Sequence, residues 1–174
     1  MKEKSLLMHP DYISFERIIL DNFSFLETDY GFRFTGIREI NNSPHDQGVV
    51  ARYSHEKTRI EIGCSTMEGS LTVLIKTKID GLARAERHLY FEPFVEFYSS
   101  GKIKPIVPQL YPGMSVRRIE EAMEQREKCF KDGLVGVVEI LAKKFSEYFS
   151  LIDSASVETI KQYHKWYLIR GKAS

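Results

Sequence analysis

Cysteine, long apolar runs and net charge of one sign are all scarce in this sequence, and each scarcity excludes a class of protein. The two cysteines, Cys64 and Cys129, lie far apart without C-x-x-C spacing, which argues against a disulfide framework and a zinc knuckle. The first apolar run, at residues 6–8, is too short for a signal-peptide core or a membrane span. We therefore expect a cytoplasmic protein without a membrane partner.

Charge is nearly balanced, since 25 Lys and Arg stand against 24 Asp and Glu, giving a formal net charge of +1. Such a chain has no global field to attract a nucleic-acid backbone or an anionic membrane, so a partner of that kind would have to use a local patch. The length of 174 residues fits one domain, and a hydrophobic share of 43% is enough to form a core. We expect a single domain over residues 1–174.

Motifs for catalysis are also missing. The sequence has no G-x-S-x-G elbow, no catalytic-cysteine signature and no H-E-x-x-H. The stretch YSSGKIKP contains serine, glycine and lysine, but a Walker loop needs glycine where Glu96 stands and a hydroxyl residue where Ile103 stands. The stretch is more typical of a helix end with Gly101 in the left-handed conformation.

A metal site has one candidate, the set His88, Glu92 and Glu96 at successive spacings of four. These side chains would share a helix face only if the helix continued through Pro93, which proline disfavours. We therefore assign no catalytic, metal-binding or cofactor-binding residue and expect no cofactor. The absence of these motifs argues against an enzyme. A catalytic triad assembled from distant positions is the alternative that the sequence leaves open.

Hydrophobic periodicity predicts a helix followed by a sheet. Apolar residues from Phe15 to Leu26 recur on one side of a helix, and Gly31 in the left-handed conformation would end it. From Phe32 the period changes to two, which is typical of strands with one face on a core and the other in water. The four predicted strands cover residues 32–40, 49–54, 59–64 and 71–79.

Turn positions predict the register of these strands. A two-residue turn at Glu56-Lys57 sets Arg52 opposite Glu61, and a second at Glu68-Gly69 sets Glu61 opposite Lys76. Both registers match apolar residues on the core face. The charge row Arg52, Glu61 and Lys76 on the other face is our candidate for binding another protein, with a merely solvated face as the alternative.

The remaining chain is predicted to be helical. A segment from Leu82 to Tyr98 breaks near Glu92, a proline-rich linker follows, and further helices begin near Ser115, Leu134 and Ser156. The predicted fold class is α+β: an N-terminal helix, a four-stranded antiparallel meander, and a helical C-terminal half packed on one face of the sheet. The sheet-bearing part covers about residues 11–81 and the helical part about residues 82–174.

The C-terminal helix offers an alternative function. Lys161, Lys165 and Arg170 interleave with aromatic residues that include Trp166, and such patches can bind single-stranded nucleic acid through charge and stacking. The competing interpretation is a terminal amphipathic helix whose aromatic side chains dock on the core. A third hypothesis is a small enzyme or ligand-binding protein with a pocket between sheet and helices.

The arrangement of FSFLETDYGF, VVARYSHEKTRIEIG and SLTVLIKTKIDG resembles stand-alone bacterial proteins of uncharacterised families, some of them toxin-immunity proteins. It covers residues 15–81. The resemblance implies a non-enzymatic protein that binds and blocks a toxin. It carries no functional residue onto this chain, and nothing in the sequence indicates an oligomeric state.

Overall fold

The computed structural model describes residues 12–43, 46–65, 70–130 and 133–172, so the apolar run at 6–8 and the turn at Glu68-Gly69 lie outside the described residues. The elements in chain order are α1 (Tyr12–Phe23), α2 (Phe25–Thr28), β1 (Arg33–Ser43), β2 (Asp46–His55), β3 (Thr58–Ser65), β4 (Ser70–Thr77), β5 (His88–Tyr90), α3 (Phe91–Tyr98), α4 (Val116–Cys129), α5 (Leu134–Asp153) and α6 (Val157–Arg170). The α+β class is confirmed, and the described residues form five strands in place of the predicted four.

The N-terminal helical segment ends as its sequence predicts. Gly31 has a φ of +68°, a conformation that side chains disfavour, and the Phe32 amide donates to the Leu26 carbonyl at 2.9 Å. The predicted single helix is divided at Ser24 into α1 and α2. Phe15, Ile19, Phe23 and Leu26 are nevertheless buried in the core.

The sheet is antiparallel throughout, in the order β1-β2-β3-β4-β5. The predicted register of β2 and β3 is confirmed, with Arg52 opposite Glu61. The predicted register of β3 and β4 is wrong by two residues, because Glu61 lies opposite Leu74 and Lys76 lies opposite Arg59. A slip of two residues returns every side chain to its own face, so alternation alone could not distinguish the two registers.

The fifth strand corrects the helix predicted from Leu82 to Glu92. That stretch forms one turn of 3-10 helix (Ala85–Arg87) and then β5, which adds to the edge of β4. Three residues are too few to show a period, so this strand depends on tertiary pairing. The short helix expected from Pro93 is present as α3, with the proline in its first turn, and the left-handed Gly101 that follows has a φ of +80°.

One hydrophobic core joins the inner face of the sheet to the helices. Ile60, Ile62 and Val73 point into it from the strands. Helices α1, α2, α3, α5 and α6 contribute side chains buried with them, which include Phe15, Ile19, Leu26, Phe91, Phe94, Val138, Phe145, Ile160 and Tyr163. Within the described ranges, no helix has both the length and the apolar character needed to cross a membrane.

Candidate protein-interaction surface

The face of the sheet opposite the core, called here the outer face, is defined by strand register. Directly paired residues share a face, so its members can be taken from the pairing of the five strands. They include Arg38, Val50, Arg52, Arg59, Glu61, Gly63, Thr72, Leu74, Lys76, His88 and Tyr90. Most of these side chains are exposed or half-buried, although Val50 and Glu61 are buried.

The predicted charge row lies at the centre of the outer face. Glu61 is 6% exposed and binds two cations: its Oε1 lies 3.3 Å from Arg52 Nε and its Oε2 lies 2.7 Å from Lys76 Nζ. Lys76 reaches Glu61 diagonally across the strands, which is why the row forms despite the register correction. The structure therefore brings together the three residues that the sequence proposes for protein binding.

The environment of Glu61 favours its charged form. Burial alone would raise the pKa of this carboxyl group, but the hydrogen bond and charge of Lys76, with the charges of Arg52 and Arg38, outweigh burial and lower the pKa. A charged carboxylate held between two cations is a fixed charge pattern. Such a pattern can select a partner by complementarity.

A shallow cup of about 330 Å³ lies beside the charge row. Gly63 lies at the floor of the cup, and the surface is recessed there because glycine has no side chain. A Cβ at this position would lie 3.5 Å from both Val50 Cγ2 and Thr72 Oγ1. Leu74 and Tyr90 are among the side chains that line it. A concave floor with apolar and aromatic lining beside fixed charges has the composition of a protein-binding surface.

The three residues of the metal hypothesis do not form a common site. His88 lies on β5 and is exposed, whereas Glu92 and Glu96 lie on α3 and are buried. In the described parts of the chain, no group of three or more potential ligands is placed to hold a metal ion.

Glu92 instead holds the linker that follows α3. Its Oε1 lies 3.0 Å from Lys144 Nζ of α5 and accepts a hydrogen bond from the Ile106 amide at 2.6 Å. Lys144 also donates to the Lys104 carbonyl at 2.7 Å. The linker lies outside helices and strands, so its backbone N–H and C=O groups need other hydrogen-bond partners. The buried Glu92–Lys144 ion pair provides such partners and attaches the linker to the core.

Glu96 makes a second buried cluster on the same helix. Its carboxylate accepts from Tyr111 Oη at 2.6 Å and from Arg170 Nη2 at 2.9 Å, with Lys104 Nζ at 3.3 Å. Burial alone would raise the pKa of Glu96, but the hydrogen bonds from Tyr111 and Arg170 outweigh it and lower the pKa. This role of Glu96 was not predicted from the sequence. The signal was the placement of two glutamates among the apolar residues of FEPFVEF, because buried acids need cationic partners.

The proposed nucleic-acid residues divide into two groups. Trp166 packs against Phe97 with ring centroids 5.7 Å apart, and Arg170 pairs with Glu96 and lies over the Trp166 ring. Lys165 is exposed and Lys161 is half-buried. Two of the four side chains are thus engaged within the protein, and the nucleic-acid role of the set stays a prediction.

A cavity of about 470 Å³ lies between the end of the sheet and helices α5 and α6. Buried apolar side chains such as Phe149 and Ile160 line it, and the charged lining residues, among them Lys57 and Asp153, are exposed. The charged groups of its lining therefore face solvent, and the ligand-binding hypothesis stays a prediction.

Comparison with known proteins returns no relative: the chain matches no protein-family model, no curated protein and no solved structure. The resemblance to toxin-immunity proteins thus stays a prediction.

Proposed function

We propose that this protein is a non-enzymatic binding protein that docks a partner protein on the outer face of its sheet. The observation that carries the proposal is the cup next to the Arg52–Glu61–Lys76 row. Here a concave floor, apolar lining residues and a charge pattern lie together on a rigid sheet. Rigid elements present such a surface with little entropy cost on binding.

The residues around the cup support this function. Leu74 and Tyr90 provide apolar and aromatic contact area, and Tyr90 is held by stacking on Tyr167 of α6 with ring centroids 5.6 Å apart. Arg38 adds a side chain that binding surfaces favour. In protein interfaces, an aromatic side chain held in place beside a depression is a common hot spot, a residue that contributes a large share of the binding free energy.

The finer parts of the proposal come from the sequence. A cytoplasmic location is part of the proposal, and the resemblance to toxin-immunity proteins suggests that the partner is a toxin. The partner would then be the product of a neighbouring gene, and binding would occlude its active site or an essential surface.

Site-specific photocrosslinking tests the location of the interface. A benzoylphenylalanine is introduced at Thr72 in the cup, and at Ile140 on the exposed side of α5 as the matched control. In cells of the encoding organism, the Thr72 probe should capture one protein that the Ile140 probe does not. Capture from position 140 in place of 72 would contradict the proposal.

The captured protein is then purified and its affinity measured by calorimetry. Leu74→Arg places a bulky charge in the cup, and we expect it to weaken binding by at least about tenfold, as for a residue near the centre of an interface. Ile140→Arg serves as the control and should leave the affinity unchanged. Equal affinities for both variants, each shown to be folded by circular dichroism, would refute the proposal.

A further inference from the structure

A second depression on the outer face, called here the basic groove, lies on the other side of the charge row from the cup and has a volume of about 370 Å³. Six cationic side chains line it: Lys57, Arg59, Lys76, Lys78, Arg84 and Arg87. Glu56 is the acidic residue in the same lining. The net charge of the protein is only +1, so the basic groove is a local excess of positive charge.

The charges of the basic groove are not balanced within the protein. Of the six cations, Lys76 alone forms an ion pair with an acid of the described residues, namely Glu61. Glu86, on the 3-10 turn that borders the groove, directs its carboxylate to the Ala83 amide at 2.8 Å. Like charges collected without counterions repel one another, and an anionic partner relieves that repulsion.

His88 reports the resulting field. It lines the groove opposite Lys76. Partial loss of hydration is the largest cause that lowers its pKa, followed by the charge of Lys76; Glu61 opposes this, and Arg84 and His164 add smaller lowering effects. The positive charges that line the groove therefore disfavour a further positive charge on His88. The same charges would favour a carboxylate placed beside them.

The composition of the groove favours an acidic peptide segment over nucleic acid. Its described lining contains no Phe, Tyr or Trp side chain, and the imidazole of His88 is the one ring in it on which a base could stack. The adjacent row carries the buried acid Glu61, which interrupts the positive surface that a nucleic-acid backbone would follow. Glu56, an exposed acid at the border of the groove, would repel a uniform polyanion but can set the register of a segment whose acids are followed by a basic or neutral residue.

From this geometry we infer that the basic groove binds a short acidic segment of the partner protein, with glutamate or aspartate side chains against Arg59, Arg84 and their neighbours. The inference rests on the proposed function, in which the same partner occupies the cup. It names the chemistry of the partner: an acidic segment next to an apolar contact.

The probe is a capped octapeptide of alternating glutamate and serine, labelled with rhodamine and measured by fluorescence anisotropy at low salt. Wild-type protein should bind it. Arg59→Glu/Arg84→Glu should weaken binding by more than about tenfold, and Arg59→Gln/Arg84→Gln by less, because close charge pairs contribute on this scale. Lys128→Glu/Lys143→Glu makes the same change in net charge at two exposed lysines of α4 and α5 outside the groove, and this variant should bind like wild type.

A labelled oligodeoxythymidylate of matched length is titrated in parallel. Tighter binding of the oligonucleotide, lost in the Arg59→Glu/Arg84→Glu protein, would overturn the inference in favour of nucleic acid. Peptide binding that is absent, or equal in the groove variant and the Lys128→Glu/Lys143→Glu control, would overturn it as well. Neither result touches the proposed function, because that proposal is tested by Leu74→Arg in the cup against a purified partner.

Discussion

The buried ion pair between Glu92 and Lys144 leads to a quantitative expectation about stability. Lys144→Met keeps the aliphatic volume of the side chain but removes the ammonium group, which lies 3.0 Å from Glu92 Oε1 and donates to the Lys104 carbonyl. Glu92 is 4% exposed, so its carboxylate cannot recover the lost interaction from water. Removing one partner of a buried pair costs about 3–5 kcal/mol.

The magnitude should fall at the lower end of that range. Glu92 keeps hydrogen bonds from the Ile106 amide at 2.6 Å and from Gln109, which continue to stabilise its charge. The Lys104 carbonyl loses a donor, which adds about 1 kcal/mol. We therefore expect Lys144→Met to lower the free energy of unfolding by about 3–4 kcal/mol.

Urea unfolding followed by circular dichroism at neutral pH measures this loss. Lys143→Met is the matched control, since Lys143 is the exposed neighbour on the same helix and should change stability by less than about 0.5 kcal/mol. Adding Glu92→Gln to Lys144→Met should restore part of the loss, because the second change removes the uncompensated buried charge. If the two lysine variants are equally stable, or the double variant is the least stable of all, the reasoning about the buried pair is refuted.

Three further predictions concern single positions. Tyr53→Phe should leave stability unchanged or raise it by up to about 1 kcal/mol in urea unfolding, because the buried hydroxyl has no hydrogen-bond partner among the described residues; a clear loss would contradict this. Gly48→Ala should destabilise the protein by about 1–3 kcal/mol, because the new Cβ would lie against the Cys64 carbonyl oxygen. Gly136→Ala in α5, where the space around the glycine is open, should stabilise it by up to about 1 kcal/mol. Thermal unfolding of both variants measures the contrast, and equal effects would contradict it. Glu96 has a pKa below its ordinary value of 4.5, so its contribution to stability is present above that value and is lost as pH falls through the folded pKa. Glu96→Gln should therefore be less stable than wild type at neutral pH, with a difference that shrinks in acid, and a difference independent of pH would contradict the assignment.

Structure that depends on residues close together in the chain could be predicted from local sequence patterns. The left-handed glycines at 31 and 101, the serine caps of α4 and α6, and the register across the turn at Glu56-Lys57 all follow from residues that are close together in the chain. The same holds for the inner face of the sheet, because alternation of apolar residues is a local property.

Long-range pairing decided what the local patterns could not. The short strand β5 exists because β4 offers it an edge, and the register of β3 with β4 differs from the predicted one by a shift that leaves every face unchanged. The candidate surface shows both effects: its charge row follows from alternation, while the basic groove required the 3-10 turn to be brought against the ends of β3 and β4.

By itself the sequence determined which side chains face the core, where the first helical segment ends, and that Arg52, Glu61 and Lys76 share one face of a sheet. Only the tertiary structure decided that Glu92 and Glu96 meet Lys144 and Arg170, and that six cations converge on one groove. The reason is physical: periodicity records the direction of a side chain relative to its own backbone, whereas a buried charge or a groove depends on which distant segments pack together.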